Sequence, residues 1–195
     1  MNKEPFFSVV IPTYNSEKTI IQTLRSEKKQ IFKNFEVIIV DDGSQDKTFF
    51  LINKFIKKNY LDIKIYQQRN SKGPAAPRNI GIKKSKSNRI CFLDSDDYWF
   101  SNKLIDAYHF LKDNNECDVL TSNEIKKYQN KKKKLFYGPV SKNFYLDLLT
   151  KGNKLSTSST IVKKSFLINK NIFFNEHKNF SSVEDYDLWL QIAKK

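Results

Sequence analysis

Asp94-Ser95-Asp96-Asp97 follows directly on the apolar run Arg89-Ile90-Cys91-Phe92-Leu93. Three carboxylates in four residues at the end of a buried strand repel one another, which disfavours their ionised forms. A hard divalent cation with oxygen ligands removes the conflict, and such a cation commonly bridges to nucleotide phosphates. Asp96 and Asp97 are best placed to ligate it, with Asp94 reaching ribose hydroxyls or the outer coordination sphere. The competing reading is a solvated acidic turn that caps the next helix.

Other residues fit the same chemistry. Asp41-Asp42 ends a second apolar run and can accept hydrogen bonds from a pyrimidine base or a ribose. Pro12-Thr13-Tyr14 offers backbone groups and an aromatic face for a base. Arg78, beside Pro77 in an N1-like position at a helix start, suits a phosphate. Each is weak alone, since Asp-Gly-Ser is ordinary turn chemistry and a surface Arg is common in a basic protein. Ser181-x-x-Glu184 matches a capping box, which gives Glu184 a structural explanation. Asp185 in the first turn is favoured as a charge by the helix dipole, which weakens it as a base.

The elements that must position these residues alternate. Phe6 to Ile11, closed by Pro12, reads as a buried strand, and Ile20, Ile21 and Leu24 follow at helical spacing. Val37-Ile38-Ile39-Val40 is β-branched throughout, as expected of a parallel strand covered on both faces. A helix with Ser44 as N-cap runs from Asp46 to Lys58, with Phe49, Ile52, Phe55 and Ile56 on one face. Ile63 to Tyr66 is a third strand, and the loop Asn70 to Pro77 opens a helix ending near Lys84. Ile90 to Leu93, a helix from Asn102 to Asn114, and a fifth strand at Asp118 to Thr121 complete the pattern. Strands alternating with helices imply right-handed βαβ units in a doubly wound sheet, whose ligands bind outside the strands' carboxyl ends. That rule brings Pro12 to Tyr14, Asp41-Asp42 and Asp94 to Asp97 to one rim.

Beyond residue 122 the pattern weakens. Lys131 to Lys134 reads as a hairpin tip guarding an exposed edge. Asn143 to Lys151 and Lys164 to Asn169 read as short helices, Ser156 to Thr160 as a polar run before Ile161-Val162, and the final helix starts near Ser182. His109 and His177 have no partner spacing and read as structural.

A chain of 195 residues, 39% of them apolar, fits one domain with a substantial core. The net charge of +14 favours anionic partners, although a coding bias toward Lys and Asn explains it equally well. Cys91 and Cys117 read as reduced thiols rather than a disulfide or zinc pair. No signal-peptide pattern opens the chain, and no apolar run nears the about 20 residues that span a bilayer. The expected location is therefore cytoplasmic, with lysines available for peripheral contact with an anionic inner leaflet. The lysine run lacks the aromatic interleaving of an RNA-binding strand, so no nucleic-acid partner is expected.

Taken together, Ser8-Val9-Val10-Ile11-Pro12-Thr13-Tyr14-Asn15 and Phe35-Glu36-Val37-Ile38-Ile39-Val40-Asp41-Asp42-Gly43-Ser44 closely resemble the opening of the GT-A fold, family 2 glycosyltransferases. Gly73 through Arg78-Asn79-Ile80-Gly81, then Phe92 to Asp97, then Glu184-Asp185-Tyr186-Asp187-Leu188-Trp189 continue the resemblance in order. It implies an α/β fold of the Rossmann-like nucleotide-diphospho-sugar transferase type, with a mostly parallel sheet flanked by helices. Residues 1–195 would form a single domain, truncated at the C-terminus relative to many members. It also implies an inverting transfer of a hexosyl or N-acetylhexosaminyl group, usually from a UDP-sugar with Mg²⁺ or Mn²⁺. The acceptor would be a glycan or a lipid-linked hydroxyl in cell-surface polysaccharide synthesis.

By position, the resemblance gives the donor to Pro12, Thr13, Tyr14, Asp41, Asp42, Arg78, Asp94 and Ser95. It gives the metal to Asp94, Asp96 and Asp97, and the catalytic base to Asp185, with Glu184 beside it. Pro77 departs from the small residue that the family commonly has there. The alternative is a nucleotide-sugar-binding module without a complete acceptor side. A nucleotidyltransferase using the same carboxylates has no nucleic-acid motif in its favour.

Overall fold

The computed structural model describes residues 4–59, 61–128, 131–138 and 141–195. A six-stranded sheet runs β3-β2-β1-β4-β8-β5, built from β1 (Phe7–Thr13), β2 (Phe35–Asp41), β3 (Ile63–Gln67), β4 (Arg89–Phe92), β5 (Val119–Thr121) and β8 (Thr160–Lys163). β1, β2, β3 and β4 are mutually parallel, so this is an α/β sheet with a parallel core. All seven residues of β1 and of β2 are buried, as strands covered on both faces require.

Alternation along the strands feeds two cores. Phe7, Val9, Ile11, Val37, Ile39 and Cys91 pack with α1 (Ile20–Lys28), α2 (Thr48–Lys57) and α4 (Lys103–Asp113). Val10, Ile90, Phe92 and Val162 pack on the other face with α3 (Ala75–Lys84), α5 (Phe144–Lys151), α6 (Lys164–Asn169) and α7 (Glu184–Ala193). α3 lies so close to β1 that a Cβ on Gly81 would sit 2.2 Å from Val10 Cγ1. Among the described residues, no helix is long and apolar enough to cross a membrane. Both cysteines are free, Cys91 buried and Cys117 half-buried.

Several local expectations are corrected. β1 does not close at Pro12 but runs through it to Thr13, in register with Val40 and Asp41. Leu93 N–H reaches Val10 O as β4 ends, so Pro12 faces the side where no ladder partner needs its missing donor. Ser44 does not cap α2; Asp46 accepts from Thr48 N at 2.9 Å instead, and Ser44 ties Asp41 to Asn15. Pro77 is the third residue of α3, not its first, and is tolerated there because first-turn N–H groups lack intrahelical acceptors. The fifth strand forms, yet it pairs with β8, which inserts antiparallel between it and β4. The lysines are not a hairpin tip: Lys131–Leu135 is β7, paired with β6 (Glu124–Tyr128), and residues 129–130 lie outside the described residues.

Glu27 on α1 is fully buried, with Oε2 unpartnered among the described residues. Desolvation pushes its carboxyl up to about 8, against a weak hydrogen bond from Ser26. Between about pH 4.5 and 8 the folded state therefore holds a proton that the unfolded chain has released. Stability falls as pH rises through that window. Glu27→Gln is expected to match the native chain near pH 5 and to gain on the order of 4 kcal/mol over it by pH 9. Urea unfolding across that range checks this; a pH-independent difference between the two proteins contradicts it.

Candidate active site

The carboxyl ends of β1, β2 and β4 open into one cavity of about 340 Å³. Pro12, Thr13 and Tyr14 line it from β1, Asp42 from beyond β2, and Asp94, Ser95 and Asp96 from beyond β4. Arg78 and Pro77 enter from the first turns of α3, and Asn70, Lys72 and Gly73 from the loop before it. The rim expected from topology is thus formed. Tyr14 is 46% exposed and lines both this cavity and a polar cleft beside it.

Arg78 organises the floor. Its Nη2 donates to Asp94 Oδ1 and its Nη1 to Glu184 Oε1, both at 2.7 Å, and the guanidinium lies 5.1 Å from the Phe174 ring centroid. The side chain is 5% exposed. Burial works against its charge, but the two carboxylates outweigh burial and hold its pKa above the ordinary value. Asn79, next along α3, clasps the segment before α7 by accepting from Phe174 N and donating to Phe174 O and Glu176 Oε1. Arg78-Asn79 therefore staples the C-terminal segment to the carboxyl rim of the sheet.

The expected site residues divide. Asp42 faces the cavity, yet its carboxylate is held by Gln68 Nε2 and by Ser71, whose N–H lies 3.0 Å from both oxygens. Its evident work here is to set the loop that carries Lys72. Asp41 does not line the cavity; it is fully buried and accepts from Ser44 and from Gln67 Nε2. Successive strand residues point to opposite sides, which separates the pair. Ser95 bonds Ser16 Oγ at 2.8 Å and, through its carbonyl, Thr23.

The capping box at Ser181 does not form: α7 has Val183 at its N-cap, and the Glu184 carboxylate is buried against Arg78. Asp185 points elsewhere. Its Oδ2 accepts from Asn153 Nδ2 at 3.2 Å and from Thr157 Oγ1 at 3.4 Å. It is not part of the cavity lining, but the adjacent Ser158 accepts from Asp94 N at 3.0 Å, so one short turn joins the two carboxylates. His177 accepts from Asn179 N, the structural role expected of it.

Asp96 is exposed at the cavity rim, and Asp97 lies outside the lining. Partial desolvation raises the Asp97 carboxyl above its ordinary value; Asp94, Asp96 and Glu124 push it further, and Ser158 opposes them. Among the described residues, no three His, Cys, Asp or Glu side chains converge into a ready-made metal cage. A cation that keeps its waters and takes phosphate oxygens needs only one or two carboxylates, and Asp96 with Asp94 fits that demand. Thr13 Oγ1 and Arg78 Nε, both from residues lining the cavity, are buried polar atoms without a protein partner among the described residues. Sequence reasoning missed Lys72, Asn70 and Ser158; only their location on the carboxyl rim could have pointed to the first two.

A sequence profile described as glycosyl transferase family 2 matches residues 8–174. The chain belongs to that family. Over 117 residues it is 44% identical to the poly(ribitol-phosphate) beta-N-acetylglucosaminyltransferase TarS of Staphylococcus aureus, matching 58% of this chain and 20% of that one. Over 191 residues it is 34% identical to the Escherichia coli UDP-Glc:alpha-D-GlcNAc-diphosphoundecaprenol beta-1,3-glucosyltransferase WfaP, matching 96% of this chain and 70% of that one. Crystal structures of TarS 1-349 with UDP and with UDP-GlcNAc superpose with TM-scores of 0.74 and 0.75, at 35% and 33% identity. They match 93% and 95% of this chain, which spans about half of theirs, 53% and 52%. The family profile ends at residue 174, ahead of α7, while the match to WfaP takes in 96% of the chain.

Proposed function

We propose that this domain moves a hexosyl or N-acetylhexosaminyl group from a UDP-sugar to a hydroxyl of a glycan or lipid-linked acceptor in the building of cell-surface polysaccharide. The observation that carries the reading is the rim cavity, which Tyr14, Lys72, Arg78, Asp94 and Asp96 line together at the carboxyl ends of the parallel strands. The two relatives support it by the activities they are named for, both sugar transfers in which the acceptor bears phosphate.

In this reading the base lies against Tyr14, beside Pro12 and Thr13, Lys72 balances charge on the diphosphate, and Arg78 fixes Asp94 at the donor site. Asp96 and Asp94 would hold Mg²⁺ or Mn²⁺, with Asp97 as a further ligand. When bound, that cation supplies Lewis-acid neutralisation of the departing UDP. Asp185 takes the proton of the acceptor hydroxyl as its oxygen bonds to the anomeric carbon. The bond from that carbon to the phosphate oxygen breaks on the opposite side, so configuration inverts. The net charge of +14 suits an anionic acceptor or one presented at the inner leaflet of the cell membrane.

Asp96→Ala tests the metal assignment. Calorimetry with UDP should show binding that tightens with Mn²⁺ in the native chain and no such gain in the variant, with transfer about 100-fold lower or worse. A native chain indifferent to Mn²⁺ would refute the metal role. UDP binding with no transfer to any acceptor would favour a binding module over an enzyme.

A further inference from the structure

The β6–β7 hairpin breaks the rules that stabilise such elements. Six of its ten strand residues are lysines, all exposed. Lys126 stands directly opposite Lys133, and Lys127 opposite Lys132. Like charges in direct cross-strand register destabilise a pair, and a two-stranded sheet on its own is marginal in water. Guarding a free edge accounts for a lysine or two, not for two opposed pairs.

The hairpin base is joined to the acceptor side of the site. Tyr137 donates from its hydroxyl to Glu124 Oε1 at 2.5 Å and meets the side chain of Ser156. Ser156 begins the turn in which Thr157 reaches Asp185 and Ser158 accepts from Asp94 N. Glu124 and Lys126 both lie within electrostatic range of Asp97. By strand alternation Lys126, Lys131 and Lys133 share a face with Glu124, the residue that Tyr137 ties down.

We propose that this face is a track for the acceptor, and that the acceptor is a linear phosphodiester polymer whose charges pair with Lys126, Lys131 and Lys133. The assignment rests on the glycosyltransferase reading and adds the class of acceptor. Lysines on one face of a strand recur at about 7 Å, a ladder suited to a chain of repeating charges rather than one diphosphate. A lipid surface fits less well. Lysines occupy both faces of the hairpin, and the exposed apolar residues Ile125 and Tyr128 fall on opposite faces. Neither face therefore collects the apolar area that docks into a headgroup layer.

The test uses labelled poly(glycerol phosphate) without nucleotide, followed by fluorescence polarisation at several salt concentrations. A variant with Lys126→Gln, Lys131→Gln and Lys133→Gln is expected to bind about 10-fold more weakly or worse. Its slope of log affinity against log salt should fall by about 2, at roughly 0.7 per phosphate contact for a flexible polyanion. A second variant, with Lys127→Gln, Lys132→Gln and Lys134→Gln, removes the same charge from the other face and should lose less. UDP affinity, measured separately, should be unchanged in both variants, which also certifies their fold. Equal losses in the two variants, or an unaltered slope, would overturn the track. So would a native chain that ignores the polymer but binds an oligonucleotide, or vesicles of phosphatidylcholine and phosphatidylglycerol. Failure of the native chain to bind UDP would count against the donor reading alone and leave the polymer result standing.

Discussion

Replacing Arg78 with alanine is expected to lower the unfolding free energy by about 3–5 kcal/mol and to abolish UDP binding. The side chain sits between Asp94 and Glu184 with 2.7 Å hydrogen bonds to each. Its removal leaves the 8% exposed Glu184 carboxylate without a countercharge. Asp94, 31% exposed, is partly relieved by water, so most of the loss comes from the Glu184 side. Losing Arg78 also frees Asp94, the residue through which β4 addresses the cavity, and loosens the attachment of α7 to α3. Arg78→Lys should recover little, because an ammonium cannot span two carboxylates as the planar guanidinium fork does. Urea unfolding and UDP calorimetry measure the two effects. A stability loss under about 1 kcal/mol with intact UDP affinity would mean that the pair of ion pairs is incidental.

The second large effect concerns chemistry alone. If Asp185 is the base, as proposed, Asp185→Asn is expected to cut transfer about 1,000-fold while leaving UDP affinity and thermal stability close to native. The substitution preserves shape, and the side-chain oxygen can still accept from Asn153 and Thr157, at the cost of the 2.6 Å bond that the other oxygen accepts from Tyr186 N. The capacity to take a proton is lost as well. Raising pH should not rescue the variant, whereas a stronger nucleophile as acceptor should do so in part. Transfer within about 3-fold of the native rate would move the base role elsewhere. Glu184→Gln separates the neighbouring carboxylate: it should behave like a milder Arg78 variant, losing stability and UDP affinity together, because Glu184 works through Arg78.

How legible the fold was depended on how local each cause is. The runs at Val9-Val10-Ile11, Val37 to Val40 and Ile90 to Leu93 carry enough apolar, β-branched character to declare themselves strands, and the intervening helices show a buried stripe. Parallel strands with right-handed crossovers then place their carboxyl ends on one rim without further information. β8 was not legible. Thr160-Ile161-Val162 is too short for periodicity, and its insertion between β4 and β5 depends on partners about 70 and 40 residues away in sequence, Ile90 and Leu120. Ser44 and Ser181 each matched a helix-cap signal and neither caps; the Ser44 hydroxyl bonds Asp41 instead, because a hydroxyl takes whichever partner packing brings closest.

The sequence alone determined that carboxylates, an aromatic ring and a guanidinium share the carboxyl edge of a parallel sheet, since residue type and strand polarity are properties of the chain. Tertiary structure alone decided which carboxylate does what. Asp41 is turned inward while Asp42 pins the Lys72 loop, and Glu184 is spent on Arg78 while Asp185 bonds Asn153 and Thr157. Adjacent residues of one type have the same intrinsic chemistry. Only the direction each side chain takes from its strand or helix, and the countercharge waiting there, gives them different roles.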